Sequence, residues 1–332
     1  MKILEREIHS TGHCVYRLAG RKVLSVKCGQ VTPVKRKGAP VLVIRRDGDI
    51  SGLFCHFTYN LGWMRWAAEH GYKCYVDMRT PANIFTRAQA ISFNPWDLYF
   101  KQTCDAADII DAQKVLTTTF RFFPPKFPGV FPDLYNQDNP EFQSWRAFTH
   151  EHIALADDMA RTVDAQQARI FARESRVLGC LVRGTDYTSM KPARHPVQPE
   201  PQQVIEDARR ICSERNLKKV FLATEDPKVR DLFARAFGPD LLMSQTDLPD
   251  YRGSYLAQSG ALGDLAQTLR ISTQYLVSIV LLSRCPCLLA GCTSGSMGAA
   301  LLSKGFELMK VYNLGTYGET ANDLCVVRDR LC

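Results

Sequence analysis

Three short segments of this 332-residue chain bring together residue types suited to gripping an anion. The first is Arg183-Gly184-Thr185-Asp186, which follows the apolar run Val177 to Val182. A guanidinium is a planar, permanently charged fork that fits two oxygens of one phosphate. The small Gly184 and the hydroxyl of Thr185 let backbone N–H groups approach the same anion. The second segment is Thr224-Glu225-Asp226, after the apolar run Val220 to Ala223. The third is Thr293-Ser294-Gly295-Ser296, between the apolar stretch Pro286 to Ala290 and a small-residue helix expected over 297–304. N–H groups at a helix start carry partial positive charge and favour phosphate. Each segment also has a purely structural reading. Arg183 can pair with Asp186, and a Thr or Ser can simply cap a helix. Taken together, an Arg and a hydroxyl-rich helix start point to a diphosphate, and so to a nucleoside-diphosphate site.

Other signals narrow the chemistry. No G-x-G-x-x-G follows a strand and no G-x-x-x-x-G-K-[ST] occurs, which argues against a dehydrogenase or a P-loop enzyme. Asp47-Gly48-Asp49 is a D-x-D of the kind that holds a divalent ion in some sugar transferases, although short acidic pairs are common in turns. The twelve cysteines form no C-x-x-C pair, and most lie among apolar neighbours. They read as buried free thiols of a reducing compartment rather than zinc ligands or disulfides. The net charge of +8 is spread along the chain, with Lys35-Arg36-Lys37 and Arg45-Arg46 as its densest points. That pattern suits an anionic substrate, an anionic membrane surface or simply a solvated surface, and not a nucleic-acid arm. The charged N-terminus, Met1 to Glu7, has no signal-peptide core. The best apolar stretch, Tyr275 to Gly291, is interrupted by Ser, Arg and Pro. The expected location is the cytoplasm, with peripheral contact to the inner face of the membrane compatible with the charge.

The elements that must position these segments alternate strand and helix. After a short-stranded or irregular lead-in over 1–38, the pattern predicts a strand at Val41–Ile44, a helix at Leu53–His70 closed by Gly71, and a strand at 72–77. Residues 80–150 are less regular, with an aromatic cluster at Asn94–Phe100 and a Pro-rich loop at Arg121–Pro128 that either lines a site or is pinned to the body by its aromatics. A single helix is expected over 140–175. The rhythm then returns, with strands at 177–182, 219–224, 241–243 and 286–290, and helices at 200–215, 228–237 and 263–283. The fold class is therefore α/β, with two Rossmann-like halves, 1–160 and 161–332, and mostly parallel sheets.

The second half also resembles a family. Leu181 to Asp186, on through His195-Pro196, is similar to the donor-binding motif of α1,6-fucosyltransferases and rhizobial NodZ-type enzymes, in the O-fucosyltransferase superfamily. Phe221 to Pro227 resembles its second motif, a strand ending in two acids and Pro, and Leu281 to Ser296 its third. The resemblance implies a GT-B fold whose two domains face a cleft, the first taking the acceptor and the second a nucleotide-sugar. It implies an inverting, metal-independent transferase with no cofactor, moving a sugar, GDP-fucose being the first choice of donor, onto a glycan or glycolipid acceptor in polysaccharide biosynthesis. By the same resemblance Arg183 holds the β-phosphate, Ser294 and Ser296 contribute phosphate-contacting hydroxyls, and Asp186 and Asp226 brace the site. Gly184, Thr185, Thr224, Glu225, Thr293 and Gly295 complete the donor-binding set.

This chain departs from the motif at three positions. Leu181 replaces a His, Ser278 stands where an acid contacts guanine, and Lys191 stands where a base is expected. A protonated Lys is no ordinary base. His195 and Asp49 are the candidates to supply one, although His195 also reads as an ordinary loop residue. The departures leave open a UDP- or CMP-sugar donor, and a non-catalytic protein that binds nucleotide-sugar or glycan on the same fold.

Overall fold

In the computed structural model of the chain, the described residues are 4–8, 13–18, 21–27, 37–46, 51–79, 83–86, 91–118, 124–129, 135–191, 193–245 and 264–318. The chain divides into two compact units. Unit 1 comprises Met1–Ser51, Tyr59–Phe127 and His152–Ala156. Unit 2 comprises Gly52–Thr58, Pro128–Glu151 and Asp157–Cys332.

Unit 1 is built on a six-stranded sheet. Its strands are β1 (Leu4–Ile8), β2 (His13–Leu18), β3 (Arg21–Lys27), β4 (Val41–Ile44), β5 (Lys73–Val76) and β6 (Val115–Thr117), in the order β3-β2-β1-β6-β4-β5. β4 pairs in parallel with β5 and β6, whereas β1, β2 and β3 form an antiparallel meander joined to β6. The lead-in is therefore three regular strands, and they make half of this sheet antiparallel. Helix α1 (Leu53–Glu69) connects β4 to β5, and α2 (Pro95–Tyr99) and α3 (Ala106–Asp111) precede β6. Gly71, at φ 72°, turns the chain after α1, the left-handed conformation that glycine adopts without penalty. A Cβ on Gly62 would lie 2.6 Å from the Lys126 carbonyl oxygen and the Phe127 Cβ. The described part of the Pro-rich loop is thus laid tightly on α1.

The single helix expected over 140–175 is two, α4 (Pro140–His152) and α5 (Asp157–Phe171). The residues between them leave the helical path to hydrogen-bond elsewhere. Lys101 N donates to Ala154 O, Ala156 N donates to Tyr99 O, and Phe100 and Leu155 form an isolated antiparallel bridge.

Unit 2 carries a five-stranded, wholly parallel sheet of β7 (Val177–Leu181), β8 (Lys219–Ala223), β9 (Leu241–Leu242), β10 (Cys287–Ala290) and β11 (Leu308–Val311), in the order β11-β10-β7-β8-β9. A strand covered on both faces needs a continuous apolar run, which Val177-Leu178-Gly179-Cys180-Leu181 and Cys287-Leu288-Leu289-Ala290 supply, every residue buried. Helices α6 (Thr185–Met190), α7 (Pro201–Glu214), α8 (Pro227–Phe237), α9 (Leu265–Ser283) and α10 (Ser294–Leu302) make the connections. Val204, Ile205, Ala208 and Ile211 recur at helical spacing and place one face of α7 in the core with Leu178, Cys180, Val220 and Leu222. Each of the larger ones, such as Val204, Ile205 and Ile211, stabilises the unit by about 1.5–3 kcal/mol through burial. α9 is long and apolar enough to cross a membrane, yet it packs on β7, β8, α5 and α10. The eight described cysteines with resolved surroundings are free thiols, and most are buried.

Candidate anion-binding site at the strand ends of unit 2

Parallel pairing sends the carboxyl ends of β7, β8 and β10 to one edge of the sheet. The register aligns Leu181 with Ala223 on one side and with Ala290 on the other. Arg183, Thr224-Glu225-Asp226 and Gly291 to Ser294 therefore emerge together. The chain runs from β7 outward to β8 and β9, then returns through α9 to β10 on the opposite side of β7. Strand order thus reverses between β7 and β10, and a ligand crevice lies outside the strand ends at such a point. Gly291 N donates to Leu181 O at 3.1 Å there, so Arg183 and the start of α10 flank the reversal.

The β7 turn is held by one carboxylate. Glu225 Oε1 accepts from Gly184 N at 3.0 Å, Thr185 N at 3.3 Å and Thr185 Oγ1 at 3.1 Å, and faces Arg183 Nε at 3.5 Å, an ion-pair distance. The Arg183 and Glu225 side chains are 11% and 12% exposed, so this pair is largely shielded from water. Arg183 thus pairs with Glu225, while the side chain of Asp186 lies outside the described residues. Asp226 caps α8, accepting from Lys228 N at 2.8 Å, and its own N–H donates to Thr224 Oγ1 at 3.1 Å. It also packs so closely on Gly184 that a Cβ there would lie 2.3 Å from Oδ2. The glycine is required by this approach.

Helix α10 begins three residues earlier than its sequence pattern predicts, so Ser294, Gly295 and Ser296 are its first turn. Thr293 and Ser296 form a reciprocal capping box, with Ser296 N donating to Thr293 Oγ1 at 3.1 Å and Thr293 N to Ser296 Oγ at 2.9 Å. The buried Tyr135 hydroxyl adds bonds to Thr293 O at 2.9 Å and Ser296 Oγ at 3.0 Å. Ser296 is fully buried, so its hydroxyl serves the cap and not a ligand. Ser294 remains partly exposed at the helix start, 3.3 Å from Cys55 Sγ. Gly295 admits the Tyr275 hydroxyl, which would lie 2.2 Å from a Cβ. Burial pushes the neighbouring Cys292 thiol up to about 11, so it stays protonated near neutrality.

The remaining sequence-derived candidates fall elsewhere. Ser278 is buried in α9, its hydroxyl donating to Gln274 O at 2.9 Å and bonded to Ser244 Oγ at 2.6 Å. His195 is exposed on the loop before α7, its Nδ1 3.2 Å from Ala193 O. Lys191 ends α6 at φ 44°. Asp49, with the rest of Asp47-Gly48-Asp49, lies outside the described residues. Among the described residues no cluster of His, Cys, Asp or Glu could hold a metal.

Two contributors carry no sequence signal. Tyr135 comes from a segment without periodicity. Gln198 Nε2 donates to Pro196 O and Cys292 O, both at 3.1 Å, which ties the His195 loop to the end of β10. Gln198 Oε1 is buried over Gly291 and has no hydrogen-bond partner among the described residues.

The chain is similar to several solved structures. One is NodZ α-1,6-fucosyltransferase soaked with GDP-fucose, 17% identical over 85% of this chain and 98% of that one, with a TM-score of 0.49. Fucosyltransferase NodZ from Bradyrhizobium is 15% identical over 80% and 94%, with a TM-score of 0.47. POFUT1 in complex with GDP-fucose is 10% identical over 81% and 98%, with a TM-score of 0.45. No family model and no curated protein matches the chain.

Proposed function

We propose that this chain is a fucosyltransferase-like glycosyltransferase. It moves a sugar from a nucleoside-diphosphate donor, GDP-fucose or a close relative, to a glycan hydroxyl. Unit 2 takes the donor and unit 1 the acceptor. One observation carries the reading: Arg183 and the α10 N-terminus flank the point where strand order reverses. The ordered motifs at 181–196, 221–227 and 281–296 support it.

In the proposed inverting step the acceptor hydroxyl oxygen attacks the anomeric carbon as its proton passes to a general base, the role for which His195 and Asp49 are the sequence-derived candidates. The bond from that carbon to the β-phosphate oxygen breaks, and its electron pair stays on the phosphate. Arg183, the Ser294 hydroxyl and the α10 N–H groups stabilise that developing charge, with no metal required of the mechanism. Losing one such donor costs roughly 3–4 kcal/mol, or on the order of 100- to 1000-fold in rate. Arg183→Lys loses the fork while keeping the charge, so it falls by that amount. Turnover of Arg183→Lys within threefold of wild type refutes the assignment, and loss of turnover in EDTA that Mn²⁺ restores refutes metal independence.

Ser278 favours a second reading of the donor. It offers a hydroxyl already tied to Ser244 and Gln274 where a carboxylate would bind guanine. A thermal-shift panel of GDP, UDP and CMP decides between the readings. A nucleotide at 100 times its Kd raises stability by about 2.7 kcal/mol. Nucleotide binding without transfer to any of a broad panel of glycans supports a non-catalytic role instead.

A further inference from the structure

Unit 1 has a strand-order reversal of its own. The chain runs from β4 outward to β5 and returns to β6 on the other side of β4, so the reversal lies between β4 and β6. Arg45 follows β4, Asp77 follows β5 and Thr118 follows β6. Arg45 N donates to Thr118 Oγ1 at 2.8 Å, and that hydroxyl donates to Arg45 O at 2.9 Å. Asp77 N donates to Ile44 O at 2.9 Å.

The Asp77 carboxylate is only 3% exposed and serves two guanidiniums. Arg45 donates to Oδ2 through Nε at 3.1 Å and NH2 at 2.8 Å. Arg79 donates to Oδ1 through Nε at 2.9 Å and to Oδ2 through NH2 at 3.3 Å. Both guanidiniums therefore meet at one oxygen. Their side chains remain 38% and 45% exposed, and among the described residues each is bonded only to Asp77. Side-chain amides hold the turn in place. Asn94 accepts from Met78 N and donates to Val76 O, Asn83 donates to Met78 O, and Gln102 donates to Val76 O. Asp97 acts electrostatically on Arg79 and accepts from Gln102 at 2.6 Å and Asn94 at 3.3 Å. Arg46 adds a third positive charge, its guanidinium 4.4 Å from the Tyr59 ring centre.

We propose that Arg45 and Arg79, braced on buried Asp77 at the β4/β6 reversal, form a binding site in unit 1 for a carboxylate or phosphate group. Arg45, Arg46 and Arg79 set against Asp77 and Asp97 leave one net positive charge, and each planar fork on Asp77 keeps N–H donors for a second oxyanion. The pair is pre-organised, so an incoming anion orders no flexible side chain. Assigning that oxyanion to the acceptor glycan rests on the transferase reading, whereas the anion site itself does not.

The test uses the full chain saturated with GDP, which removes anion binding in unit 2 from the measurement. Oligogalacturonide and its neutral methyl ester are compared by titration calorimetry, as are mannose 6-phosphate and mannose. At least one acid binds tenfold or more tightly than its neutral partner, and which one does so tells carboxylate from phosphate. Arg79→Gln removes that preference while the Kd for GDP stays within twofold, and Arg79→Lys retains part of it. Equal binding of both acids and their neutral partners overturns the proposal, as does a preference that survives in Arg79→Gln and Arg45→Gln. An acid preference in a chain that binds no nucleotide keeps this site and sinks the transferase reading instead.

Discussion

Glu225→Ala tests the strand-end site at its most connected point. Among the described residues, the substitution removes the acceptor of Gly184 N, Thr185 N and Thr185 Oγ1, and one partner of the Arg183 charge. Gly184 and Thr185 are buried, so water does not readily replace the lost bonds. Breaking a buried ion pair from one side costs about 3–5 kcal/mol when the remaining charge has no other partner. Arg183 has further interactions, so the cost here is about 3 kcal/mol, most of it from the three bonds lost to Glu225. Glu225→Gln keeps an oxygen to accept from the amides and loses only the charge, so its cost is about 1–2 kcal/mol. Urea unfolding followed by intrinsic fluorescence measures both, with an unchanged m-value as the check that the transition is the same. The variants rank wild type above Glu225→Gln above Glu225→Ala. A Glu225→Ala stability within about 0.5 kcal/mol of wild type, the usual scatter of surface substitutions, contradicts the account of this turn.

Three further outcomes follow from local geometry. Gly184→Ala drives a methyl onto the Asp226 carboxylate and destabilises by about 1–3 kcal/mol, again read from urea unfolding. Tyr135→Phe strips the α10 cap of two bonds and costs about 1–2 kcal/mol, with faster amide exchange in the first turn of α10 as its local signature. Asp207 accepts from Lys310 at 2.7 Å, Tyr312 at 2.5 Å and Arg210 at 2.9 Å, and these partners outweigh burial and hold its carboxyl at about 2. A folded value below the unfolded one stabilises the native state above the unfolded pKa. That contribution, on the order of 2 kcal/mol, is lost as pH falls from about 4 toward 2. Asp207→Asn therefore flattens the acid limb of a stability-against-pH curve, and an unchanged limb counts against the network.

The sequence conveys the parallel half of the fold well, and the reason lies in burial. Val177–Leu181 and Cys287–Ala290 are continuous apolar runs that only a doubly covered strand accommodates. The break between α4 and α5 is invisible because its cause, pairing of 154–156 with 99–101, is distant in sequence. β11 is half-buried along its length, so its apolar signal is too weak to stand out. In the site, Arg183 and the hydroxyls of α10 are legible as residue types at strand ends. Which hydroxyl is available is not legible. The capping box commits Thr293 and Ser296, Tyr135 arrives from a stretch without periodicity, and only tertiary structure leaves Ser294 at the surface. The Glu225 brace is similarly hidden, since a carboxylate one strand away serves the Arg183 turn as well as a local Asp would.

The central claim is that a donor diphosphate sits at the β7/β10 reversal, against Arg183 and the first turn of α10. A crystal structure of the chain soaked with GDP tests it directly. Density for the β-phosphate is expected within hydrogen-bonding distance of the Arg183 guanidinium and of Ser294. A phosphate bound away from both, or a nucleotide that Arg183→Ala binds as tightly as wild type, contradicts it.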